Sequence, residues 1–338
     1  MIEPLLVMEC WKALDFELDT CISRVTDGSK PEFGEMIRYQ LGWNVVGFDT
    51  LLTGKRIRPL LLLFTTYALG GIWRKALPAA AAVELVHNFS LVHDDIQDQS
   101  EMRRGRDTVW VRWGIAQAIN TGDAMLALAN LEMLSLEEAT DSTIVKAAAH
   151  FLNQATFELT RGQYLDLALE KVEEITLMDY FEMVKGKTGA LFSACLALGA
   201  LLAGKSPIEI SKFLVLGEKM GLAFQIQDDY LGIWGQDGIT GKSVVGDLFS
   251  KKKTYPVLYA LENLSEVRDY WIDHDAFTQN DVMWIKQRLE FAAVDKKVLA
   301  VVDNLYADCT RQLSTLFKGS QNTEELFFLI DGLFLRNR

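Results

Sequence analysis

The sequence has few of the residues that build covalent or metal-bound scaffolds. Only four cysteines occur, they are far apart, and no CxxC pair is present. We therefore expect neither a disulfide framework nor a structural zinc site. The four histidines lack the HExxH spacing of zinc-dependent hydrolases. Unpaired thiols suit a reducing compartment, so the sequence predicts a cytoplasmic protein.

Basic residues are also in short supply. The chain carries 34 lysines and arginines against 46 aspartates and glutamates, a formal net charge of −12. A negative protein repels phosphate backbones, which argues against nucleic acid as a partner. A basic cluster in such a chain therefore stands out as a candidate site for a small anion.

Leader-like segments and long apolar runs are missing as well. The N-terminus has no basic region ahead of an apolar stretch, so it does not resemble a signal peptide. The longest apolar run, Thr188–Gly204, has only the minimum length of a membrane span and contains three glycines. We expect this run to be a buried core helix, and we expect no transmembrane segment.

Proline is rare, with six in 338 residues, whereas leucine and alanine are abundant. Both features favour long helices. No linker-like change of composition separates one half of the chain from the other. The sequence therefore predicts an all-α protein with a single domain over residues 1–338.

The first acidic cluster, Asp94, Asp95 and Asp98, follows the apolar segment 79–92, which predicts a buried helix. If that helix continues through Asp98, then Asp94 and Asp98 lie one turn apart on one face. Such acids repel each other and lose hydration, and a divalent cation compensates both costs. Mg²⁺ prefers a few carboxylates together with water and phosphate oxygens. The alternative is a solvated helix end that is merely acidic.

The second acidic cluster, Asp228 and Asp229, follows a predicted helix over 208–223. Basic residues accompany both clusters, in GKRIRP at 54–59, in RRG at 103–105, at Lys187 and in the segment 235–253. Cations at a helix start add to its unpaired N–H groups and favour phosphate. A solubilising loop, or a lysine that only reaches solvent, is the alternative. Together the motifs indicate a site that binds diphosphate at its mouth and hydrocarbon in its interior.

In this order, the motifs resemble those of the trans-isoprenyl diphosphate (polyprenyl) synthases. The matching segments are GKRIRP (54–59), HNFSLVHDDIQD (87–98), RRG (103–105), KTG (187–189), FQIQDD (224–229), GK (241–242) and DLFSKKKT (247–254). The resemblance implies the isoprenoid synthase fold, a helical bundle around a deep central cavity, and a homodimer. It also implies head-to-tail (1′-4) condensation of isopentenyl diphosphate with an allylic diphosphate, namely dimethylallyl, geranyl or farnesyl diphosphate.

The resemblance also implies roles for individual residues. About three Mg²⁺ ions, with Mn²⁺ as an alternative, would be bound by Asp94, Asp98 and Asp228. Isopentenyl diphosphate would be held by Lys55, Arg58, His87 and Arg104. The allylic diphosphate would be held by Arg103, Lys187, Lys242 and Lys252, with Thr188 and Gln225 facing the developing allylic cation. The catalytic residues would be Asp94, Asp98, Lys187, Thr188, Gln225 and Asp228, supported by Asp95 and Asp229.

Two positions depart from the family pattern. Gly232 stands where many members have a third aspartate, and Asp107 stands where proline is common. Two other functions stay open as alternatives. A class I terpene cyclase would need a second metal motif that residues 228–236 do not supply. A non-catalytic subunit of a heteromeric prenyl synthase would typically lack the first acidic motif, which is intact here.

Product length is predicted from the helix before Asp94, because the growing chain would extend along it. At a rise of about 1.5 Å per residue, Phe89 and Ser90 lie about 6–8 Å below Asp94, and Val86 about 12 Å below. One aromatic residue five positions before the DDxxD motif resembles the archaeal-type geranylgeranyl synthases. We expect geranylgeranyl diphosphate first and farnesyl diphosphate second. The alternative is that Phe89 is an ordinary core residue.

Overall fold

A computed structural model describes residues 5–26, 31–43, 54–172, 175–235 and 246–334. Within these ranges the chain is almost entirely helical, which confirms the predicted all-α class. The strands of the described part of the chain are β1 (Met102–Arg103) and β2 (Arg106–Asp107). They pair antiparallel as a small hairpin.

Sixteen α-helices follow one another in the described ranges. The first eight are α1 (Leu5–Thr26), α2 (Pro31–Gln40), α3 (Ile57–Ala68), α4 (Leu77–Gln97), α5 (Val109–Trp113), α6 (Ile115–Leu134), α7 (Ser142–Glu170) and α8 (Leu177–Val184). The other eight are α9 (Ala190–Leu202), α10 (Pro207–Trp234), α11 (Gly246–Phe249), α12 (Tyr255–Asn263), α13 (Ser265–Asp273), α14 (Gln279–Phe291), α15 (Val294–Leu316) and α16 (Glu324–Phe334). Short 3₁₀ turns occupy Trp73–Ala76 and Ser135–Glu138, and a π turn occupies Lys185–Gly189.

The chain divides into two compact units. The first unit comprises Met1–Phe157, Leu191–Gly217 and Leu316–Asp331. The second unit comprises Glu158–Ala190, Glu218–Thr315 and Gly332–Arg338. Helices α7 and α10 therefore contribute residues to both units.

The core of the first unit is built on α4 and α6. Pro78 lies in the first turn of α4, where its missing N–H costs no hydrogen bond. The alanines that follow are fully buried, and such small side chains allow close packing between helices. At Gly122 of α6, an added Cβ would come within 2.3 Å of His93 Nε2. Gly122 thus leaves room for the His93 ring, which lies one residue before the first acidic cluster.

In the second unit, glycines bring α7 and α10 against the π turn. A Cβ added at Gly162 of α7 would lie 2.0 Å from the backbone nitrogen of Lys187. A Cβ added at Gly221 of α10 would lie 2.6 Å from Cα of Gly189. Neither contact is sterically possible, so both approaches require glycine. The KTG segment (187–189) is thereby fixed between two helices.

The structure confirms one predicted element and corrects another. The apolar run Thr188–Gly204 contains α9, which is buried along most of its length. No helix in the described part of the chain is long and apolar enough to cross a membrane. The predicted helix end near Ala223 is wrong, because α10 continues to Trp234 and carries the second acidic cluster inside it. No proline interrupts this stretch, and hydrogen bonds described below satisfy the carboxylate of Asp229.

Candidate functional site

The first acidic cluster lies on the last turn of α4. The helix continues to Gln97, as the sequence predicted, and the N–H of Asp98 bonds to the carbonyl of Asp94. Asp94 is half-buried and Asp98 is exposed. The carboxylate of Asp95 is buried and accepts hydrogen bonds from Nε of Arg103 at 2.8 and 3.0 Å. Asp94 and Asp98 therefore both meet solvent one turn apart, and the arginine that holds Asp95 also lies 3.4 Å from Oδ2 of Asp94.

The pair Asp94 and Asp98 fits a magnesium ion. Mg²⁺ is usually bound by one or two carboxylates and keeps several waters or phosphate oxygens in its shell. Among the residues that the structure describes, no three His, Cys, Asp or Glu side chains converge closely enough to hold a metal by themselves. A bound ion would therefore need water and ligand oxygens to complete its coordination.

The RRG motif forms the turn of the β1–β2 hairpin. Arg104 and Gly105 have φ values of 53° and 76°, the left-handed pair that a type I′ turn requires. Arg103 reaches Asp95, whereas the guanidinium of Arg104 lies against Gly54, where an added Cβ would be 2.7 Å from its Cζ. Burial lowers the pKa of Arg104 to about 10. The hairpin thus directs one arginine to the acidic cluster and the other to the GKRIRP motif.

Arg58 of the GKRIRP motif meets His87 of α4. Nη1 of Arg58 lies 3.3 Å from Nε2 of His87. A guanidinium can only donate, so Nε2 accepts and the imidazole is neutral with its proton on Nδ1. Burial, and then the charge of Arg58, lower the pKa of His87 well below its ordinary value. The two residues that were predicted to share one substrate therefore lie in contact with each other.

Arg56, the middle cation of the motif, is not part of an open phosphate site, which corrects the sequence-based expectation. Its side chain is buried, and its guanidinium donates to Glu84 at 2.9 Å, to Asp15 at 3.1 Å and to the carbonyl of Leu41 at 3.3 Å. A buried charge with these partners holds α3 to α1 and α4. Removing Arg56 would leave Glu84 as an uncompensated buried carboxylate.

The second unit contains a pocket lined by Asp166, Tyr180, Lys187, Gln225, Asp229 and Lys252, which we call the lysine pocket. Asp166 is buried on α7, with Nζ of Lys187 at 2.6 Å and Nζ of Lys252 at 3.5 Å. Burial alone would raise the pKa of Asp166, but the charges of Lys252 and Lys187 lower it below its ordinary value. Asp166 therefore stays ionised and holds the two predicted allylic-site lysines together.

A chain of hydrogen bonds runs from the π turn to the buried end of the lysine pocket. The hydroxyl of Thr188 donates to Oε1 of Gln225 at 2.7 Å, and Nε2 of Gln225 donates to Asp229 at 2.9 Å. Asp229 also accepts from the hydroxyl of Tyr180 at 2.7 Å and from the N–H of Tyr255 at 2.9 Å. Burial raises the pKa of Asp229 despite these bonds. The acceptor-only carboxylate thereby fixes the orientation of the Gln225 amide.

Asp228, the predicted metal ligand of the second cluster, is half-buried on α10. One turn later, an added Cβ at Gly232 would lie 2.5 Å from Oδ2 of Asp247. Gly232 therefore leaves room for a carboxylate that comes from α11. A third aspartate at position 232, as the family pattern has it, would require the side chain of Asp247 to rotate away.

The residues predicted to set product length lie on α4 before the first acidic cluster. Val86 is fully buried and Phe89 is 8% exposed. The ring of Phe89 packs edge-on against His93 with 5.0 Å between ring centroids. The hydroxyl of Ser90 donates to the carbonyl of His87 at 2.7 Å.

Two parts of the predicted allylic site are not assembled by these contacts. Lys242 lies outside the described residues. Arg103 belongs to the first unit, where it pairs with Asp94 and Asp95, so its grouping with the lysines of the second unit stays a prediction. Sequence reasoning, in turn, gave no role to Gly162, Asp166 or Tyr180. The spacing GQYLD (162–166), which puts a glycine and an acid one turn apart, is the signal that could have found two of them.

The sequence of this chain is similar to those of known proteins of one family. The sequence model of the family described as Polyprenyl synthetase matches residues 47–287. A (2E,6E)-farnesyl diphosphate synthase of Mycobacterium tuberculosis (strain ATCC 25618 / H37Rv) is 44% identical over 243 residues, which cover 71% of this chain and 66% of that protein. A geranylgeranyl diphosphate synthase of the same strain is 41% identical over 247 residues, 72% of this chain and 70% of that protein. The chain thus spans slightly less than two thirds of the farnesyl relative.

Solved structures show the same fold. The crystal structure of a geranylgeranyl pyrophosphate synthetase from Pyrococcus horikoshii Ot3 has a TM-score of 0.84 to this chain at 29% identity. The similarity covers 98% of this chain and 97% of that one. It confirms the fold class that the sequence predicted.

Proposed function

The chain belongs to the polyprenyl synthetase family, and from that premise we propose that it is a prenyltransferase. It condenses isopentenyl diphosphate head-to-tail (1′-4) with dimethylallyl, geranyl or farnesyl diphosphate and releases diphosphate. The names of the two mycobacterial relatives support a short-chain product. Geranylgeranyl diphosphate is the first candidate and farnesyl diphosphate the second. On the same premise we propose one catalytic domain over residues 1–338 and a homodimer.

The observation that carries the proposal is the lysine pocket. The ammonium groups of Lys187 and Lys252 converge on the buried carboxylate of Asp166. Lys253 lines the same pocket, as do Glu170 and Asp229, so the pocket offers an anion a group of adjacent ammonium donors. Beside Lys187 in the chain, Thr188 donates its proton to Gln225, which leaves lone pairs on the Thr188 oxygen. Cations for a leaving diphosphate, next to oxygen dipoles for a carbocation, are what ionisation of an allylic diphosphate requires.

In the proposed reaction, Lys187 and Lys252 bind the allylic diphosphate. They stabilise the negative charge that grows on it as the C–O bond breaks. The oxygen dipoles of Thr188 and Gln225 stabilise the allylic cation that this bond cleavage leaves. Apolar walls that exclude water protect the cation from hydrolysis.

Isopentenyl diphosphate is held by the cations of the first unit. Lys55 and Arg104 flank Gly54, and Arg58 lies on the neutral imidazole of His87. His87 is neutral, so it orients the guanidinium of Arg58 without cancelling the positive charge that attracts the anion. The double bond of the bound substrate attacks the allylic cation, and the proton lost from the product goes to the departing diphosphate.

Magnesium would be held by Asp94 and Asp98 of the first acidic cluster and by Asp228 of the second. When bound, it adds positive charge that neutralises the leaving diphosphate. The half-buried and exposed positions of these carboxylates leave room for water and phosphate oxygens in the ion's shell.

The test incubates the purified protein with Mg²⁺, radiolabelled isopentenyl diphosphate and allylic diphosphates of several lengths. We expect longer prenyl diphosphates, and none in EDTA. Hydrocarbon products would instead identify a terpene cyclase, and absence of any product a non-catalytic subunit. Asp94→Ala should lower turnover by orders of magnitude with an unchanged circular dichroism spectrum. Asp269→Ala, at a side chain that is 71% exposed, is the matched control and should leave turnover unchanged.

A further inference from the structure

The three consecutive lysines of the DLFSKKKT motif have different partners in the second unit, although Lys252 and Lys253 both line the lysine pocket. Nζ of Lys252 lies 3.5 Å from Asp166 in the lysine pocket. Lys253 donates to the carbonyls of Leu169 and Val172 at the C-terminal end of α7. Lysines commonly bond to such terminal carbonyls, which carry the negative end of the helix dipole. Lys253 therefore fastens the chain on one side of Lys252.

Lys251 fastens the chain on the other side of Lys252. Its ammonium donates to the carbonyl of Trp271 at 2.7 Å and to the carbonyl of His274. The same nitrogen lies 4.7 Å from the ring centroid of Phe277 and 5.4 Å from that of Trp271. Two carbonyl oxygens and two aromatic faces thus surround one cation. We call these groups the Lys251 cage.

The backbone at Lys251 explains why its side chain leaves the lysine pocket. The N–H of Lys252 bonds to the carbonyl of Asp247 at 2.8 Å, and the N–H of Lys251 bonds to the carbonyl of Leu248 at 3.1 Å. These two bonds form the Schellman motif that ends a helix, and Lys251 has the left-handed φ of 52° at the position where glycine is usual. A lysine pays a conformational penalty there, so its side-chain contacts must offset that penalty.

We infer that Lys251 is a positioning residue, which anchors the left-handed turn to the end of α13 and to the residues that follow it, and so aims Lys252 at Asp166 and at the ligand. The inference gives the Trp271–Phe277 segment a part in ligand binding, although none of its residues lines the lysine pocket. It rests on the proposed function for one point only, that the ligand of Lys252 is a diphosphate.

Three variants separate the cage from the turn. Lys251→Gly keeps the left-handed turn and removes the cage, Lys251→Met keeps the aliphatic stem without the charge, and Lys251→Arg keeps a cation. Ala293→Gly is the matched control, because Ala293 has a left-handed φ of 55° in the same unit and does not line the lysine pocket. Binding of inorganic diphosphate in the presence of Mg²⁺ is measured by titration calorimetry. The KM for the allylic diphosphate is measured in parallel.

We expect Lys251→Gly and Lys251→Met to weaken diphosphate binding by about tenfold or more, since the loss of one charge-assisted hydrogen bond to a phosphate lowers affinity by this factor. Lys251→Arg should recover most of the affinity, and the KM for isopentenyl diphosphate should not change. If Lys251 serves only the structure of the turn, Lys251→Gly should have equal or higher thermal stability and unchanged diphosphate affinity. That result would overturn the inference, as would an equal loss in Ala293→Gly or a wild type that does not bind diphosphate.

The same measurements keep the two hypotheses apart. If the wild type binds diphosphate but forms no prenyl product, the proposed function fails, and the affinities of the Lys251 variants still decide the role of the cage. If the wild type forms product and the Lys251 variants match it in affinity and KM, the proposed function stands and the positioning role is wrong.

Discussion

The variant Gly162→Ala tests whether the close packing of α7 against the π turn determines the position of Lys187. The added Cβ would meet the backbone nitrogen of Lys187 at 2.0 Å and the carbonyl carbon of Gly186 at 2.5 Å, whereas real Cβ contacts essentially never fall below 3.0 Å. One of the two segments must therefore move by at least 1.0 Å, the difference between 3.0 and 2.0 Å. The obstructing atoms belong to the backbone, so no side-chain rotation can relieve the clash.

Two effects of opposite sign set the stability of this variant. Alanine is favoured over glycine inside a helix by about 1 kcal/mol, but overpacking costs about 1–3 kcal/mol and occasionally more. A clash with backbone lies at the upper end of that range, so we expect a net loss of about 2 kcal/mol. Turnover should also fall, by about a hundredfold, because a shift of about 1 Å at Lys187 and Thr188 is enough to lower the rate by that factor.

The matched control is Gly332→Ala in α16, where an added Cβ meets no atom within 4 Å. This variant should be as stable as the wild type or slightly more stable, with unchanged turnover. Urea unfolding and prenyl product formation measure both quantities for both variants. If Gly162→Ala unfolds at the wild-type urea concentration and keeps full turnover, the close packing of α7 against the π turn does not determine the position of Lys187.

Three further predictions concern the first unit. Lys55→Ala should raise the KM for isopentenyl diphosphate about tenfold to a hundredfold, because it removes a charge-assisted hydrogen bond worth about 1.5–3 kcal/mol. If steady-state kinetics show an equal rise in the KM for the allylic substrate, the two substrates do not have separate cationic sites. Phe89→Ala should lengthen the product by one or more C5 units, and chromatography of dephosphorylated products that finds the same lengths for both proteins would place the limit to growth elsewhere. Burial, together with the neighbouring carboxyl of Glu17, raises the pKa of Glu132 from 4.5 to about 7. A raised native pKa means that the stabilisation from this group is complete below pH 4.5 and is lost as the pH rises through 7. Glu132→Gln should therefore flatten the decline in unfolding free energy between pH 4.5 and about pH 8, and a decline as steep as that of the wild type would refute the assignment.

The elements that the sequence predicted well depend on local pattern. An apolar segment without a breaker predicted α4, and the position of Asp94 and Asp98 one turn apart on it follows from helix geometry alone. His87 and Arg58 were grouped by motif and lie 3.3 Å apart, while the substrate that they were predicted to share stays a prediction.

The features that sequence reasoning missed depend on partners far away in the chain. Arg56 and Arg58 are chemically alike and two residues apart, yet only Arg56 meets Glu84 and Asp15 and is buried. The need for glycine at Gly162 becomes visible only when the π turn is placed against it. Likewise, α10 continues through its acids because Asp229 finds hydrogen-bond donors on α8 and α12, which no local pattern in α10 reveals.

Asp166 is expected to affect the rate at which diphosphate dissociates from the lysine pocket. With Lys187 at 2.6 Å and Lys252 at 3.5 Å, it is an internal counter-ion that competes with any diphosphate for the same two cations. Diphosphate therefore binds less tightly than it would to two unpaired lysines. When diphosphate dissociates, the Asp166 carboxylate can pair with both ammonium groups at once, which favours the dissociation. Product release is a common rate-limiting step in enzymes. We therefore expect Asp166→Asn to retain diphosphate longer, with a burst of product in the first turnover followed by a slower steady state, and a stopped-flow time course without a burst would show that Asp166 does not control release.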